Sequence, residues 1–316
     1  MAEFVLRRLL AAIPILLIVT LIAASIMQLV PGDPAAVIAG QGATDEEIKR
    51  VRDQLGLDRA FVVRLGEWYL DLARGDLGHS LFLNRSVGQA ILERVPITLA
   101  LSGAALLLTI LIGVPAGILA ALRPNSWVDQ VVLTIALLGV SVPNFWLSLM
   151  LIVLFGVILD WLPAGGYVFF ADDPVGWARS LILPSASLAL LQVGLLARIT
   201  RATMLEVLRQ DYVRTARAKG LPRRMVVGKH ALKNVMIPVV TVIGISFGLL
   251  LSGSVVIETV YSLPGMGRLL ATAIFSRDYP VIQGGLLVTA ATLVLLNLVV
   301  DLLYAVLDPR VTYDRR

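Results

Sequence analysis

The sequence predicts an all-α integral membrane protein with six transmembrane helices. Three observations predict it. Of 316 residues, 58% are hydrophobic and only 16% are charged, and mean hydropathy is +0.85, outside the range of soluble chains. Six separate stretches are apolar enough to cross a bilayer, which takes about 20 residues each. Between and beyond them the basic residues gather in a few loops, as loops held on the cytoplasmic side require. The same composition excludes several classes of function. Net charge is +5, but the basic residues are not interleaved with stacking aromatics, so no nucleic-acid partner is expected. With no cysteine there is no disulfide, thiolate metal site or cysteine nucleophile. The two histidines, His79 and His230, fall in different loops without grouped partners, so no metal site is expected.

The expected spans are 9–30, 97–122, 131–159, 180–197, 239–257 and 279–300, none with a charged side chain. The first follows Arg7 and Arg8. It is read as a span because its apolar core exceeds the roughly 7–15 residues of a signal peptide. The third is long enough to be tilted or broken, with the break expected at Pro143-Asn144. Arg7, Arg8, the loop 206–238 and the tail ending Arg315-Arg316 are basic, whereas 160–179 sets Asp160, Asp172 and Asp173 against Arg179. Both termini are therefore expected in the cytoplasm. Arg198 and Arg201, at the inner end of the fourth span, are expected to snorkel to lipid phosphates. Asp301, near the inner end of the sixth, is read as a structural partner rather than a proton relay.

Segment 31–96 is long enough to fold outside the bilayer. Thr44 and Glu47 form a capping box. Ile48, Val51 and Leu55 then make an apolar stripe closed by Gly56, and Phe61, Leu65, Tyr69 and Leu72 make a second one ending near Gly75. Two readings stand: a helical cap packed on the spans, or a docking surface for an extracytoplasmic partner. The organisation is then a tail and first helix (1–30), an external helical loop (31–96), a five-helix core (97–310) containing the cytoplasmic loop 204–238, and a short tail (311–316).

That cytoplasmic loop holds Arg209, Arg214, Arg217, Lys219, Arg223, Arg224, Lys229 and Lys233 against Glu206 and Asp211. Charge retention on the inner side explains the charges but not their arrangement. Leu205, Leu208, Tyr212 and Ala216 recur at helical spacing, giving one apolar side. Gly220 can close that helix in a left-handed conformation, and Leu221-Pro222 can start another, proline being suited to a first helical position. In the fifth span Thr241, Gly244, Gly248 and Ser252 form a stripe of small residues. It suits either close helix packing or the lining of a solute path.

The loop resembles the coupling loop of ABC-importer permeases. The resemblance is to the dipeptide, oligopeptide, glutathione and nickel branch, carried by Tyr212-Val-Arg-Thr-Ala-Arg-Ala-Lys-Gly220 followed by His230-Ala-Leu-Lys-Asn234. Further phrases that resemble that branch are Pro31-Gly-Asp-Pro34, Gly75-Asp-Leu-Gly78, Ser141-Val-Pro-Asn144, Glu258-Thr-Val-Tyr-Ser-Leu-Pro-Gly265, Asp278-Tyr-Pro280 and Asp301-Leu-Leu-Tyr304 with Asp308-Pro-Arg310. The resemblance implies a type I ABC importer permease fold, with Thr215, Ala216, Arg217, Ala218, Lys219, Gly220, Leu221, Pro222, Arg223 and Arg224 forming the ATPase-coupling loop. It also implies that the Thr241, Gly244, Gly248, Ser252 face serves the path or helix packing. The implied partners are a second homologous permease, two ATPase subunits that bind ATP and Mg, an extracytoplasmic solute-binding protein, a peptide substrate and the lipid of a bacterial cytoplasmic membrane. Nickel chelates, glutathione or opine-like solutes are the alternative cargo.

The chain's own chemistry fits a non-catalytic subunit with no cofactor. It has no phosphate-binding Gly-x-x-x-x-Gly-Lys-Ser/Thr loop and no His-Glu-x-x-His. A self-sufficient secondary transporter or channel is the rival class. It would use ionisable residues or broken helices at mid-membrane, for which only the Pro143 break is a candidate.

Overall fold

The computed structural model describes residues 2–29, 33–40, 42–54 and 56–307. Apart from a two-stranded hairpin it is helical. In chain order the elements are α1 (Ala2–Leu29), α2 (Pro34–Ala39), α3 (Asp45–Gln54), α4 (Phe61–Ala73), β1 (His79–Ser80), β2 (Arg85–Ser86), α5 (Val87–Leu92), α6 (Val95–Leu122), α7 (Trp127–Ser141) and α8 (Asn144–Leu151). A π-helical segment, Ile152–Ile158, continues α8. Then come α9 (Pro174–Leu208), α10 (Asp211–Ala218), α11 (Arg223–Met225), a second π segment (Val226–Ala231), α12 (Leu232–Val260), α13 (Met266–Ser276) and α14 (Tyr279–Leu307).

Four described helical stretches are long and apolar enough to span a bilayer: Val87–Leu122, Pro174–Leu208, Arg223–Val260 and Tyr279–Val300. The pair Trp127–Ser141 and Asn144–Ile158 adds a fifth, broken span. The expected first span falls in α1, whose apolar stretch Leu10–Ser25 is shorter than the other spans. The break in the third expected span lies where the sequence places it. Val142 and Pro143 are extended, and the two halves bend by 106°. Proline explains it, because its ring clashes with the preceding turn and disfavours helical geometry in the residue before it. The helices mostly exceed the expected spans because their polar ends continue past the apolar windows. Asp173 caps α9 by accepting from the Val175 N–H at 3.0 Å, with Pro174 at the first helical position.

The chain divides into two compact units, Met1–Ile97 with Pro264–Leu295 and Thr98–Leu263 with Leu296–Arg316. In the first, the Thr44 cap is realised: the Glu47 carboxylate accepts from the Thr44 N–H at 2.8 Å and from its hydroxyl at 2.9 Å. These bonds, the backbone one foremost, hold the Glu47 pKa below its ordinary value. Gly56 and Gly75 take positive φ, +61° and +83°, at the two helix ends named from sequence; Leu55 lies outside the described residues. Neither α3 nor α4 contains a fully buried residue, and Tyr69 shares a 2.7 Å hydrogen bond with Thr20 of α1. A tighter core forms where Val87 and Ile91 of α5 meet Met266, Leu269 and Ala273 of α13 and Val281 and Ile282 of α14. There the Ser80 hydroxyl hydrogen-bonds Asp278 and accepts from the Leu83 N–H at 2.8 Å. Burial pushes the Asp278 pKa up, against the lowering effect of Ser80.

In the second unit α9 is the central post, 72% buried over its apolar window against 22–33% for the other three long spans. Helices α7, α8 and α12 pack against it. Small residues let them in. A Cβ on Gly117 of α6 would lie 2.5 Å from the Ala197 carbonyl oxygen, one on Gly194 2.8 Å from Ala136 Cα of α7, and one on Gly139 3.0 Å from the Leu190 carbonyl oxygen. The core above holds Leu101, Leu188, Leu250, Ile257 and Tyr261, the core below Leu196, Met204, Val235 and Val239.

Candidate coupling site

The segment from the end of α9 to the start of α12 is the site the sequence singles out. Helix α9 stops at Leu208, with Arg209 and Gln210 turning the chain. Helix α10 follows for eight residues. Its apolar side is Val213 and Ala216, packed with Val226, Leu208 and Leu221. The stripe expected from sequence ran through Tyr212 instead. The break at Arg209-Gln210 shifts the helical phase, so Tyr212 is exposed and accepts a 2.7 Å bond from Asn234 Nδ2. Leu205 and Leu208 lie on α9, before the break.

Gly220 does what the sequence requires of it. Its φ is +78°, and two bonds close the helix through it: Gly220 N–H to Arg217 O at 2.9 Å and Leu221 N–H to Ala216 O at 3.3 Å. This is the Schellman pairing, with the accompanying apolar contact of Leu221. A Cβ at Gly220 would meet nothing within 4 Å, so the glycine serves backbone conformation alone. Pro222 caps α11 rather than opening it, with φ −64° and ψ 144°, and Arg223 is the first helical residue. From Arg223 the chain runs helically through the second π segment into Val260. His230 therefore lies in a helix, not a loop. Thr215, Arg217, Ala218, Lys219, Gly220, Pro222, Arg223 and Arg224 are exposed, Leu221 is half-buried and Ala216 buried. The result is a short basic helix with one face anchored and the other presented to solvent. Beside it a shallow depression of about 390 Å³ is lined by Ala202, Leu205, Glu206, Arg209, Gln210 and Asp211.

The α12 stripe divides. Gly244 is buried, and a Cβ there would lie 2.4 Å from a Val300 methyl of α14. Thr241 and Gly248 are half-buried and Ser252 is exposed, bonding back to Gly248 O at 3.2 Å. Gly244 is thus a close-packing residue, and Ser252 shares the exposed face with Ile245, Leu249 and Val256.

Arg201 corrects an expectation. It does not reach for lipid; its Nε and Nη2 form a two-pronged bond to Asp129, the second at 2.6 Å. Asp129 is 2% exposed, on the first turn of α7, and also accepts from the Asn125 N–H at 2.9 Å. Ser126 caps α7 by accepting from the Asp129 N–H at 3.4 Å. Sequence reading passed over Asp129, although Ser126-Trp-Val-Asp129 has the spacing of a capping box ahead of an apolar run. Arg223 donates to the Leu122 carbonyl at 2.9 Å. Asp301's side chain, the Asp308-Pro-Arg310 phrase and the tail 311–316 lie outside the described residues. Among the described residues no group of His, Cys, Asp and Glu could hold a metal ion.

Comparison with known proteins agrees over the whole chain. A putative peptide transport system permease protein of Brucella abortus is 50% identical over 314 residues, covering 99% of this chain and all of the relative. The dipeptide transport system permease DppB of Alkalihalophilus pseudofirmus and the glutathione transport system permease GsiC of Escherichia coli are each 44% identical, again covering 99% of this chain and all of the relative. Among solved structures, an inward-facing MetNI methionine ABC transporter matches with a TM-score of 0.57 at 19% identity, covering 70% of this chain and 97% of its own; at that identity it speaks for the fold, a type I ABC importer permease. Residues 1–102 match the N-terminal component of the binding-protein-dependent transport systems. With residues 113–313 matching their "Binding-protein-dependent transport system inner membrane component", the chain belongs to that family, as an ABC importer permease of the peptide branch.

Proposed function

We propose that this permease forms one half of a peptide-translocating pathway and that α10 with the Gly220 turn is the surface through which a separate ATPase subunit drives it. One observation carries the reading. A short basic helix, exposed on one face, joins the end of the 35-residue α9 to a continuous helix ending at Val260. Anything that grips α10 therefore holds two membrane-spanning helices at once. The Schellman turn makes that link stiff rather than slack. ATP and Mg belong to the partner subunits on this reading, since the chain has no phosphate-binding loop of its own.

The rest of the assembly is read from the same chemistry. The basic loops support a cytoplasmic position for α10 and both termini in a bacterial inner membrane. The exposed α12 face of Ile245, Leu249, Ser252 and Val256 is left for the path and for a second, homologous permease. A solute-binding protein would deliver cargo on the opposite side. Peptides are the cargo supported by the names of the relatives, which cover peptide, dipeptide and glutathione transport.

The experiment is Gly220→Val. A β-branched residue at φ +78° is strained by about 1 kcal/mol or more, enough to tilt a two-turn helix without unfolding the protein. The variant is expected in the membrane at normal levels, with transport per ATP hydrolysed reduced in proteoliposomes or the ATPase subunits lost on purification. Wild-type values for both would remove α10 as the coupling element. Gly220→Asn, a residue that tolerates the left-handed region, is expected to retain activity.

A further inference from the structure

The turn joining α6 to α7 is held from both flanks of α10. On one flank stands Arg201, about two turns before the end of α9. Its guanidinium forks onto Asp129 just after that turn. On the other flank stands Arg223, immediately beyond the Gly220 turn, donating to the carbonyl of Leu122, the last residue of α6. Helix α6 also approaches Arg201 from behind: a Cβ on Gly117 would lie 3.0 Å from the Arg201 backbone nitrogen. Three helices therefore meet at this one residue, α7 at its guanidinium and α6 at its backbone.

We propose that Asp129 and Arg201 are positioning residues for coupling. With Arg223 they tie the α6–α7 turn to both sides of α10, so that a displacement of α10 reaches α6 and α7 through side chains as well as α9 and α12 through the backbone. The chemistry suits this role better than simple adhesion. A buried ion pair adds little over well-packed apolar residues in holding two helices together. It adds direction, because a planar guanidinium and a carboxylate fit as a fork in one relative orientation. Both carboxylate oxygens are engaged, Oδ1 by Arg201 Nε and Oδ2 by Arg201 Nη2 and the Asn125 N–H, so the pair cannot rotate freely. At 2% exposure of Asp129, salt screens it little.

The inference rests on the docking of an ATPase at α10, and the test separates the two. The full complex, with its ATPase subunits and binding protein, is reconstituted in proteoliposomes with Asp129→Asn, Arg201→Lys, or the neutral double Asp129→Asn, Arg201→Gln. Each is expected to assemble and hydrolyse ATP while transport per ATP falls about fivefold or more, the lower end of coupling changes between distant sites. The double is expected to be no worse than the singles, because the pair acts as one unit. Wild-type transport per ATP in the assembled variants overturns the proposal. Failure of all three to assemble also overturns it, leaving a purely structural pair. A Thr215→Cys cross-link to the ATPase, made in the otherwise cysteine-free chain, reports the docking itself. Its presence with an unchanged ratio sinks only the role of Asp129 and Arg201; its absence sinks the docking reading.

Discussion

Gly117 shows how little tolerance the central post leaves. The atoms that a Cβ would meet are the Ala197 carbonyl oxygen at 2.5 Å, Thr200 Cβ at 2.6 Å and the Arg201 nitrogen at 3.0 Å. Two of these are backbone and cannot rotate aside. At Gly244 the obstruction is a Val300 side chain at 2.4 Å, which can move with the end of α14. Gly117→Ala is therefore expected to destabilise the protein by about 1–3 kcal/mol, the usual cost of overpacking, and Gly244→Ala by less. Thermal unfolding of the two variants in detergent checks this. A higher Tm for Gly117→Ala than for Gly244→Ala would mean that the α6–α9 crossing is not the tighter of the two. Sequence reading chose the Gly244 stripe and passed over Gly113 and Gly117, which flank Pro115 in the second expected span. In α6 the proline sits inside an unbroken helix.

Among the elements, the hairpin latch of the first unit carries a pH dependence. Asp278 is buried beside Ser80, and burial raises its pKa above the unfolded value. A raised acid binds its proton more tightly when folded. Its contribution is fully present below the unfolded pKa and is lost as pH rises through the folded one. Hydrogen exchange of β1, β2 and α13 should therefore slow as pH is lowered through that window, after correction for intrinsic rates, and Asp278→Asn should flatten the dependence. An unchanged slope in the variant would assign the effect elsewhere. The long apolar helices, the Pro143 break, the Thr44 cap and the Gly220 turn were all legible in the sequence, because each is fixed by residues within a few positions of one another. The Asp129–Arg201 pair was not: its partners are 72 residues apart, and each alone looks like a charge at a membrane interface. The phase of α10 was missed for a local reason. No glycine or proline marks the stop at Arg209-Gln210, so the apolar spacing read on through Tyr212.

For the molecule as a whole, orientation is the property on which the proposed partners depend, and the absence of cysteine makes it measurable. Phe82, in the hairpin, and Pro124, in the α6–α7 turn, are both exposed and make no side-chain hydrogen bonds. Phe82→Cys is expected to react with an impermeant thiol reagent on intact cells, and Pro124→Cys only after the membrane is opened. Labelling of both on intact cells would reverse the assignment of α10 to the cytoplasm. At the α10 end of the spans, the geometry of α9 sets the scale of motion. From Pro184, the only proline inside that helix beyond its first position, to Leu208 the helix is a shaft about 36 Å long. It is gripped along its length by α7, α8 and α12 and carries α10 at its tip. A tilt of about 10° about Pro184 would swing the tip by about 6 Å over a shaft of that length. The gearing runs both ways: a pull of a few ångströms at the proposed ATPase side would become only a small rotation among the packed spans, so an ATP-driven stroke would be exchanged for force where the solute passes.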